Sequence, residues 1–208
     1  MERSLVAAGS LGALAGFFAG GLGSVLVRGA DVVVLPTAAA FLGAAQAAVD
    51  VARSLEGLDL QLEALMVVDR ASAEETHFEK RIDEAALVVL CDGAGLHARS
   101  VWRDTRVGAA LARARRIGAV GSSASVLGEV MIDPRGGAPT TGLGLTTGVA
   151  FCAPASEEQL ARTRKLLDEQ NALVVLGARG VLVYENAVWR VVVDLDLIVS
   201  RGDELTSL

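Results

Sequence analysis

Short apolar runs alternate with segments of helical periodicity along most of the chain. Three runs stand out, at residues 31–40 (DVVVLPTAAA), 86–95 (ALVVLCDGAG) and 172–177 (ALVVLG). Such nearly unbroken apolar runs are typical of strands buried on both faces, as in parallel sheets covered by helices. Strands that alternate with helices predict βαβ units with right-handed crossovers. The sequence therefore predicts an α/β fold, a three-layer α/β/α sandwich around a mostly parallel sheet with a short antiparallel end.

The remaining elements follow from the same periodicities. Further strands are predicted at residues 4–9, 60–68 and 148–154, and a hairpin over 180–193 with Glu185 and Asn186 at its turn. Helices are predicted at residues 39–56, 74–84, 104–116 and 156–170. No repeat, low-complexity run or linker interrupts the 208 residues, so one domain over residues 1–208 is expected.

Composition narrows the choice of partners. The chain is 52% hydrophobic but only 4% aromatic, so its interior is built from Ala, Val and Leu. A net charge of -6 without a basic patch argues against nucleic acid as a partner. The two cysteines, Cys91 and Cys152, lie far apart and form no CxxC pair, which argues against a disulfide framework and a zinc site. We expect a cytoplasmic protein without a metal or cofactor.

An uncharged segment at residues 5–27 has two interpretations. It is long enough to span a bilayer, and Arg3 precedes it as in a signal peptide. However, much of its apolar character comes from Ala and Gly. A first core strand, a glycine loop and a buried helix explain the segment as well, and we expect no membrane association.

Three predicted strands end in small or polar residues. These ends are residues 91–93 (Cys-Asp-Gly), 121–123 (Gly-Ser-Ser) and 152–154 (Cys-Ala-Pro). Ligands of open α/β sheets bind beyond the carboxyl ends of the strands. The sequence therefore predicts a site where these three ends meet.

The segment at residues 121–125 (GSSAS) is similar to a G-x-S-x-G nucleophile elbow, in which a serine lies on a tight turn between strand and helix. In this alignment Ser123 is the nucleophile and Ser125 replaces the second glycine. The alternative is that one of these serines caps the helix that follows.

Longer segments resemble peptidase family S51, the cyanophycinase and aspartyl-dipeptidase group, whose fold is class I glutamine amidotransferase-like and flavodoxin-like. The resemblance rests on VVVLPTAAA (32–40), LVVLCDGAGLHARSVWRDT (87–105), GSSASVLGEVMIDPRGG (121–137) and TTGLGLTTGVAFCAP (140–154). It implies that Ser123 is the nucleophile and that the N–H of Ala124 is one oxyanion donor. It also implies that the Gly93–Ala94 turn supplies the other donor.

Three departures from the family pattern weaken the catalytic interpretation. Ala155 stands where the family has its histidine, an early glycine-rich turn is reduced to AAGSLGA (7–13), and the Gly-Gly turn is reduced to Gly93–Ala94. His97 is the alternative base, although a helix N-terminus disfavours the imidazolium that a base becomes. Asp92 and Arg135 are candidate ligand-binding residues, and Asp133 with Arg135 is alternatively a pair that fixes the turn at residues 133–137.

Two functions follow. The first is a degenerate family member without catalysis that binds a small molecule, a peptide or a protein partner, which includes a homodimer. The second is an active serine hydrolase that cleaves a small aspartyl-type peptide or amide, with Ser123 as nucleophile. We favour the first, because Ala155 cannot accept a proton from a serine.

Overall fold

The structure is a computed structural model, and it describes residues 3–20, 29–193, 197–201 and 204–207. The strands are β1 (Ser4–Ala8), β2 (Asp31–Leu35), β3 (Gln61–Ala64), β4 (Leu87–Leu90), β5 (Arg116–Val120), β6 (Val130–Ile132), β7 (Pro139–Thr141), β8 (Val149–Cys152), β9 (Ala172–Leu176), β10 (Val181–Glu185), β11 (Val188–Val193), β12 (Leu197–Arg201) and β13 (Glu204–Ser207). The helices are α1 (Leu11–Ala19), α2 (Ala44–Ser54), α3 (Thr76–Glu84), α4 (Gly95–Trp102), α5 (Arg106–Arg113), α6 (Ser122–Ser125) and α7 (Glu157–Leu166).

A seven-stranded sheet forms the centre of the fold, in the order β11-β10-β1-β5-β4-β2-β3. The five strands from β1 to β3 in this order are parallel, while β10 pairs antiparallel with β1 and β11 pairs antiparallel with β10. This confirms the predicted α/β class, the mostly parallel sheet and its antiparallel end.

Side chains of the central strand β1 alternate between two cores. Leu5 and Ala7 belong to the core beneath α3, α4 and α5, whereas Val6 and Ala8 belong to the core beneath α1 and α2. This period of two follows from the pleat of a strand. Because helices cover both faces of the sheet, the predicted three-layer arrangement is confirmed.

The strands β8 and β9 lie outside the central sheet. They pair in parallel and continue into β12 and β13 as a separate four-stranded sheet. Phe151 and Val174 join the larger core, while Ala150 and Leu173 pack with Leu160 of α7. The second sheet therefore covers part of one face of the first and brings the end of β8 close to the ends of β4 and β5.

The N-terminal apolar segment begins with a strand and a helix, as the second interpretation predicted. The hydroxyl of Ser10 accepts a hydrogen bond from the N–H of Ala13 at 3.2 Å and so caps α1. Residues 21–28, which include the rest of the segment, lie outside the described residues. No helix in the described ranges is long and apolar enough to cross a membrane.

The β10–β11 hairpin turns one residue later than predicted. Its central residues are Asn186 and Ala187, which both have positive φ angles, of 54° and 60°. Two consecutive left-handed residues match the right-handed twist of the flanking strands. Asparagine tolerates this conformation, which is why a pattern centred on Asn186 marked the hairpin.

Candidate ligand-binding site

The three polar strand ends meet at one cavity, as predicted. We call it the strand-end cavity, and it has a volume of about 510 Å³. Its wall is formed by Gly9, Asp92, Gly93, Ala94, Gly95, Leu96, Gly121, Ser122, Ser125, Met131, Ile132, Asp133, Pro134, Phe151, Cys152, Ala153, Pro154, Ala155, Gln159, Leu160, Thr163 and Leu176. A cavity of this size fits a small organic molecule. A larger depression of about 870 Å³ beside α5 contains none of the three strand ends.

The elbow turn comes two residues earlier than the sequence predicted. Strand β5 stays paired with β1 up to Val120, and the N–H of Gly121 still donates to the carbonyl of Ala8 at 2.8 Å. Helix α6 begins at the next residue, Ser122. The apex of the strand-to-helix turn is therefore Gly121, whose φ of 54° and ψ of -121° are accessible mainly to glycine. The nucleophile of an elbow lies at this strained apex, and Gly121 has no side chain to offer.

Ser123 lies inside the protein. Its side chain is 0% exposed, and its hydroxyl donates to the carbonyl of Cys91 at 2.5 Å. Ser123 is absent from the wall of the strand-end cavity, which is instead lined by Ser122 and Ser125. The catalytic role of Ser123 stays a prediction, and its surroundings are those of a structural hydrogen bond between α6 and the end of β4.

The carboxylate of Asp92 is held beside the apex. Its Oδ1 accepts hydrogen bonds from the N–H of Gly93 at 2.7 Å and from the N–H of Ser122 at 2.8 Å. The hydroxyl of Ser122 lies 2.9 Å from the same oxygen and 2.6 Å from the carbonyl oxygen of Gly93, so its single proton has two acceptors in reach. These contacts fix Asp92 where two strand ends meet.

The same carboxylate fills the space that a side chain at the apex would need. A Cβ built on Gly121 would overlap Asp92 Cγ and Oδ1 and would lie 2.5 Å from Oδ2. A side chain at position 121 and the present Asp92 rotamer therefore exclude each other. The pair Asp92–Gly121 places an acidic group where an elbow places its nucleophile.

The N–H groups predicted as oxyanion donors already have acceptors. Ala124 donates to the carbonyl of Gly121 at 3.1 Å, and Ala94 donates to the carbonyl of Ala38 at 2.7 Å. Gly93 donates to Asp92, as described above. Their role in catalysis stays a prediction, because no described N–H of this set points to a free position in the cavity.

His97 lies on α4 and is directed to a neighbouring loop. Its Nε2 is 2.8 Å from the carbonyl oxygen of Val68, and its ring packs edge-on against Phe41 with centroids 4.6 Å apart. His97 is not part of the cavity wall, whereas Ala155 is. The described wall residues therefore include no histidine, and the role of His97 as a base stays a prediction.

The pair Asp133 and Arg135 closes its own turn. Arg135 donates to Asp133 from Nε at 3.0 Å and from Nη2 at 2.6 Å. These hydrogen bonds hold the pKa of Asp133 down at about 2. The turn-fixing alternative thus describes the observed geometry, and ligand binding by Arg135 stays a prediction. Glu129 lies beyond the elbow helix, because α6 ends at Ser125 and the N–H of Glu129 donates to the carbonyl of Thr146.

Neither cysteine has the environment of a nucleophile. Burial raises the pKa of Cys91 to about 12, helped by the nearby charge of Asp92, and burial alone raises the pKa of Cys152 to about 12. The described residues also contain no cluster of His, Cys, Asp and Glu that could hold a metal ion.

We expect the buried thiol of Cys91 in the folded protein to react with Ellman's reagent at pH 8 at least 100-fold more slowly than free cysteine. At that pH about one such thiol in 10⁴ would be ionised, against roughly a quarter for an ordinary cysteine. The rate should rise to the ordinary value in denaturant. Because Cys152 is half-buried and lines the cavity, the measurement uses a Cys152→Ser variant, in which fast reaction of Cys91 would contradict its buried environment.

The whole fold is shared with solved peptidase structures. A peptidase from an acI-B1 Actinobacterium superimposes with a TM-score of 0.75 at 20% sequence identity, covering 100% of this chain and 98% of that one. A peptidase E-like protein from Listeria monocytogenes EGD-e superimposes with a TM-score of 0.67 at 12% identity, covering 92% and 98%. No protein-family model and no curated protein sequence matches the chain. The chain therefore has a peptidase-like fold, while at these identities its activity is a separate question.

Proposed function

We propose that this protein is a non-catalytic binding protein built on a peptidase-like fold, and that it holds a small molecule or peptide in the strand-end cavity. The observation that carries the proposal is the pair Asp92–Gly121. The elbow apex has no side chain, and the carboxylate of Asp92 occupies its space. An acyl-transfer site needs a nucleophile at this point and free N–H groups beside it.

Two further features support the proposal. The N–H groups of Gly93 and Ser122, which surround the apex, both donate to Asp92. Ala155 contributes no proton acceptor to the cavity wall. In a serine hydrolase, Ser123 would have to give up its buried hydrogen bond to the carbonyl of Cys91 and transfer its proton to a base. The candidate base His97 is instead hydrogen-bonded through Nε2 to the carbonyl of Val68.

A serine-reactive fluorophosphonate probe tests the proposal. We expect no labelling of the wild-type protein under conditions in which a peptidase of the same fold is labelled. Ser123→Ala should leave this result unchanged and lower the free energy of unfolding by about 1 kcal/mol, because one buried hydrogen bond is lost.

Ser125→Ala is the matched control, since the hydroxyl of Ser125 also donates to a backbone carbonyl within α6 and lines the cavity. The proposal fails if the wild-type protein is labelled and Ser123→Ala is not. It fails equally if an aspartyl dipeptide is hydrolysed by the wild-type protein and no longer by Ser123→Ala.

A further inference from the structure

The strand-end cavity has an unbalanced charge. Its described wall residues include the carboxylates of Asp92 and Asp133 and no Lys, Arg or His. Asp133 is neutralised by Arg135, through the two hydrogen bonds described above. The described hydrogen bonds of Asp92 come from Gly93 and Ser122, which carry no charge. The side chain of Asp92 is exposed, so the cavity presents its negative charge to a ligand that enters.

The hydrogen bonds of Asp92 all fall on one oxygen. Gly93, the backbone of Ser122 and its hydroxyl approach Oδ1, and none of these three donors approaches Oδ2. A carboxylate whose orientation is fixed by backbone donors needs little reorganisation to accept another hydrogen bond. Its free oxygen is thus prepared for an N–H donor, and a charged donor gives the strongest bond.

Other parts of the wall are apolar. Leu96, Met131, Phe151 and Leu160 line the same cavity as Asp92. Their side chains offer contact to a hydrocarbon body, while the carboxylate offers contact to a polar head. A cavity of about 510 Å³ accommodates both parts of a small organic molecule.

We propose that the strand-end cavity binds a small organic cation, a protonated primary amine on an apolar body, with the ammonium donating to Asp92 Oδ2. The inference rests on the proposed function, because the ligand head takes the place next to the apex where a hydrolase would hold its reacting carbonyl. A ligand carboxylate at this position would face Asp92 and be repelled.

Calorimetric titration of the full chain with three probes of equal chain length tests this ligand class. The probes are hexylammonium, hexanoate and 1-hexanol at one ionic strength. We expect hexylammonium to bind at least ten-fold more tightly than the other two, since the three share the apolar body and differ only in the head group.

Asp92→Asn tests the contact itself. Asparagine keeps one oxygen for the N–H groups of Gly93 and Ser122 and replaces the free oxygen with an NH₂ group. We expect affinity for hexylammonium to fall about ten-fold or more, as for loss of a charge-assisted hydrogen bond. Glu129→Gln is the control, because it removes the same charge from an exposed side chain outside the cavity wall and should leave affinity unchanged.

Three results would overturn the proposed ligand class: hexanoate binding as tightly as hexylammonium, Asp92→Asn binding hexylammonium as the wild type does, or no binding of hexylammonium. A folded Asp92→Asn, checked by its circular dichroism, keeps the second result interpretable. None of these results depends on fluorophosphonate labelling, so the non-catalytic proposal and the ligand class fail separately.

Discussion

Gly121→Ser is expected to lower the free energy of unfolding by about 3 kcal/mol. Two effects add. A side chain at φ 54° costs about 1 kcal/mol, and its Cβ would overlap the carboxylate of Asp92 unless that group leaves its hydrogen bonds. Urea denaturation of the wild-type and variant proteins measures the difference.

A double-mutant cycle isolates the overlap from the backbone strain. Asp92→Ala alone should cost about 1–3 kcal/mol, because the N–H of Ser122 loses its acceptor and the N–H of Gly93 keeps only the hydroxyl of Ser122. In the Asp92→Ala background, Gly121→Ser should cost about 1 kcal/mol, which leaves a coupling energy of about 2 kcal/mol.

Gly144→Ser is the matched control for strain alone. Gly144 also has a positive φ, of 67°, but a Cβ there would meet no atom within 4 Å. Gly144→Ser should lower the free energy of unfolding by about 1 kcal/mol, and by the same amount in the Asp92→Ala background. Additive costs at Asp92 and Gly121 would refute their mutual exclusion.

Gly93→Ala is expected to cost 3 kcal/mol or more and to abolish ligand binding in the strand-end cavity. Gly93 has a φ of 149°, and a Cβ there would lie 2.5 Å from the carbonyl carbon of Ala38 and closer still to its oxygen. These are backbone atoms, so the clash moves the turn rather than a side chain, and the N–H that Gly93 donates to Asp92 moves with it.

The control for this change is Gly136→Ala. Gly136 lies in the exposed turn near Arg135, its φ is not in the left-handed range, and a Cβ there would meet nothing within 4 Å. Its replacement should change the free energy of unfolding by less than about 0.5 kcal/mol. A Gly93→Ala protein as stable as this control would show that the turn is not rigid.

Local patterns were sufficient to predict most of the strands, but not that β8 and β9 form a separate sheet. The apolar runs that became β2, β4 and β9 are recognisable without any partner strand, because burial on both faces leaves an unbroken run. The convergence of the ends of β4 and β5 followed from the direction of parallel strands in one sheet, whereas the end of β8 reaches the cavity from the second sheet. The boundaries were less accurate: α2 begins at Ala44 rather than residue 39, since residues 37–39 form a 3₁₀ turn and Gly43 adopts a left-handed conformation.

The position of the elbow apex could not be predicted from local sequence, because it depends on contacts between residues far apart in the chain. Whether strand β5 ends at Val120 or later is decided by its pairing with Ala8, more than 100 residues earlier in the sequence. A three-serine segment allows several registers for the elbow, and sequence analysis selected Ser123 rather than the glycine that directly follows the last buried strand residue. That glycine was the available signal, since a strained strand-to-helix turn favours glycine wherever no side chain is needed.

The role of Asp92 could be predicted only in part. Its position after a buried strand marked it as a binding candidate, but its hydrogen bonds to Ser122 join residues 30 positions apart. Ser122 itself was not singled out as a site residue. Only the structure shows that its N–H and hydroxyl hold the carboxylate over the apex.

The contact between Asp92 and Gly121 also makes the order of substitutions matter in evolution. A serine can enter the apex at low cost only after Asp92 has changed, while loss of Asp92 by itself removes the acceptor of the Ser122 N–H and leaves the Gly93 N–H with only the hydroxyl of Ser122. Either single step passes through a less stable protein, so the two positions are epistatic. Conversion of this apex into a serine-bearing elbow therefore requires two substitutions, and the intermediate with only one of them is less stable than either end point.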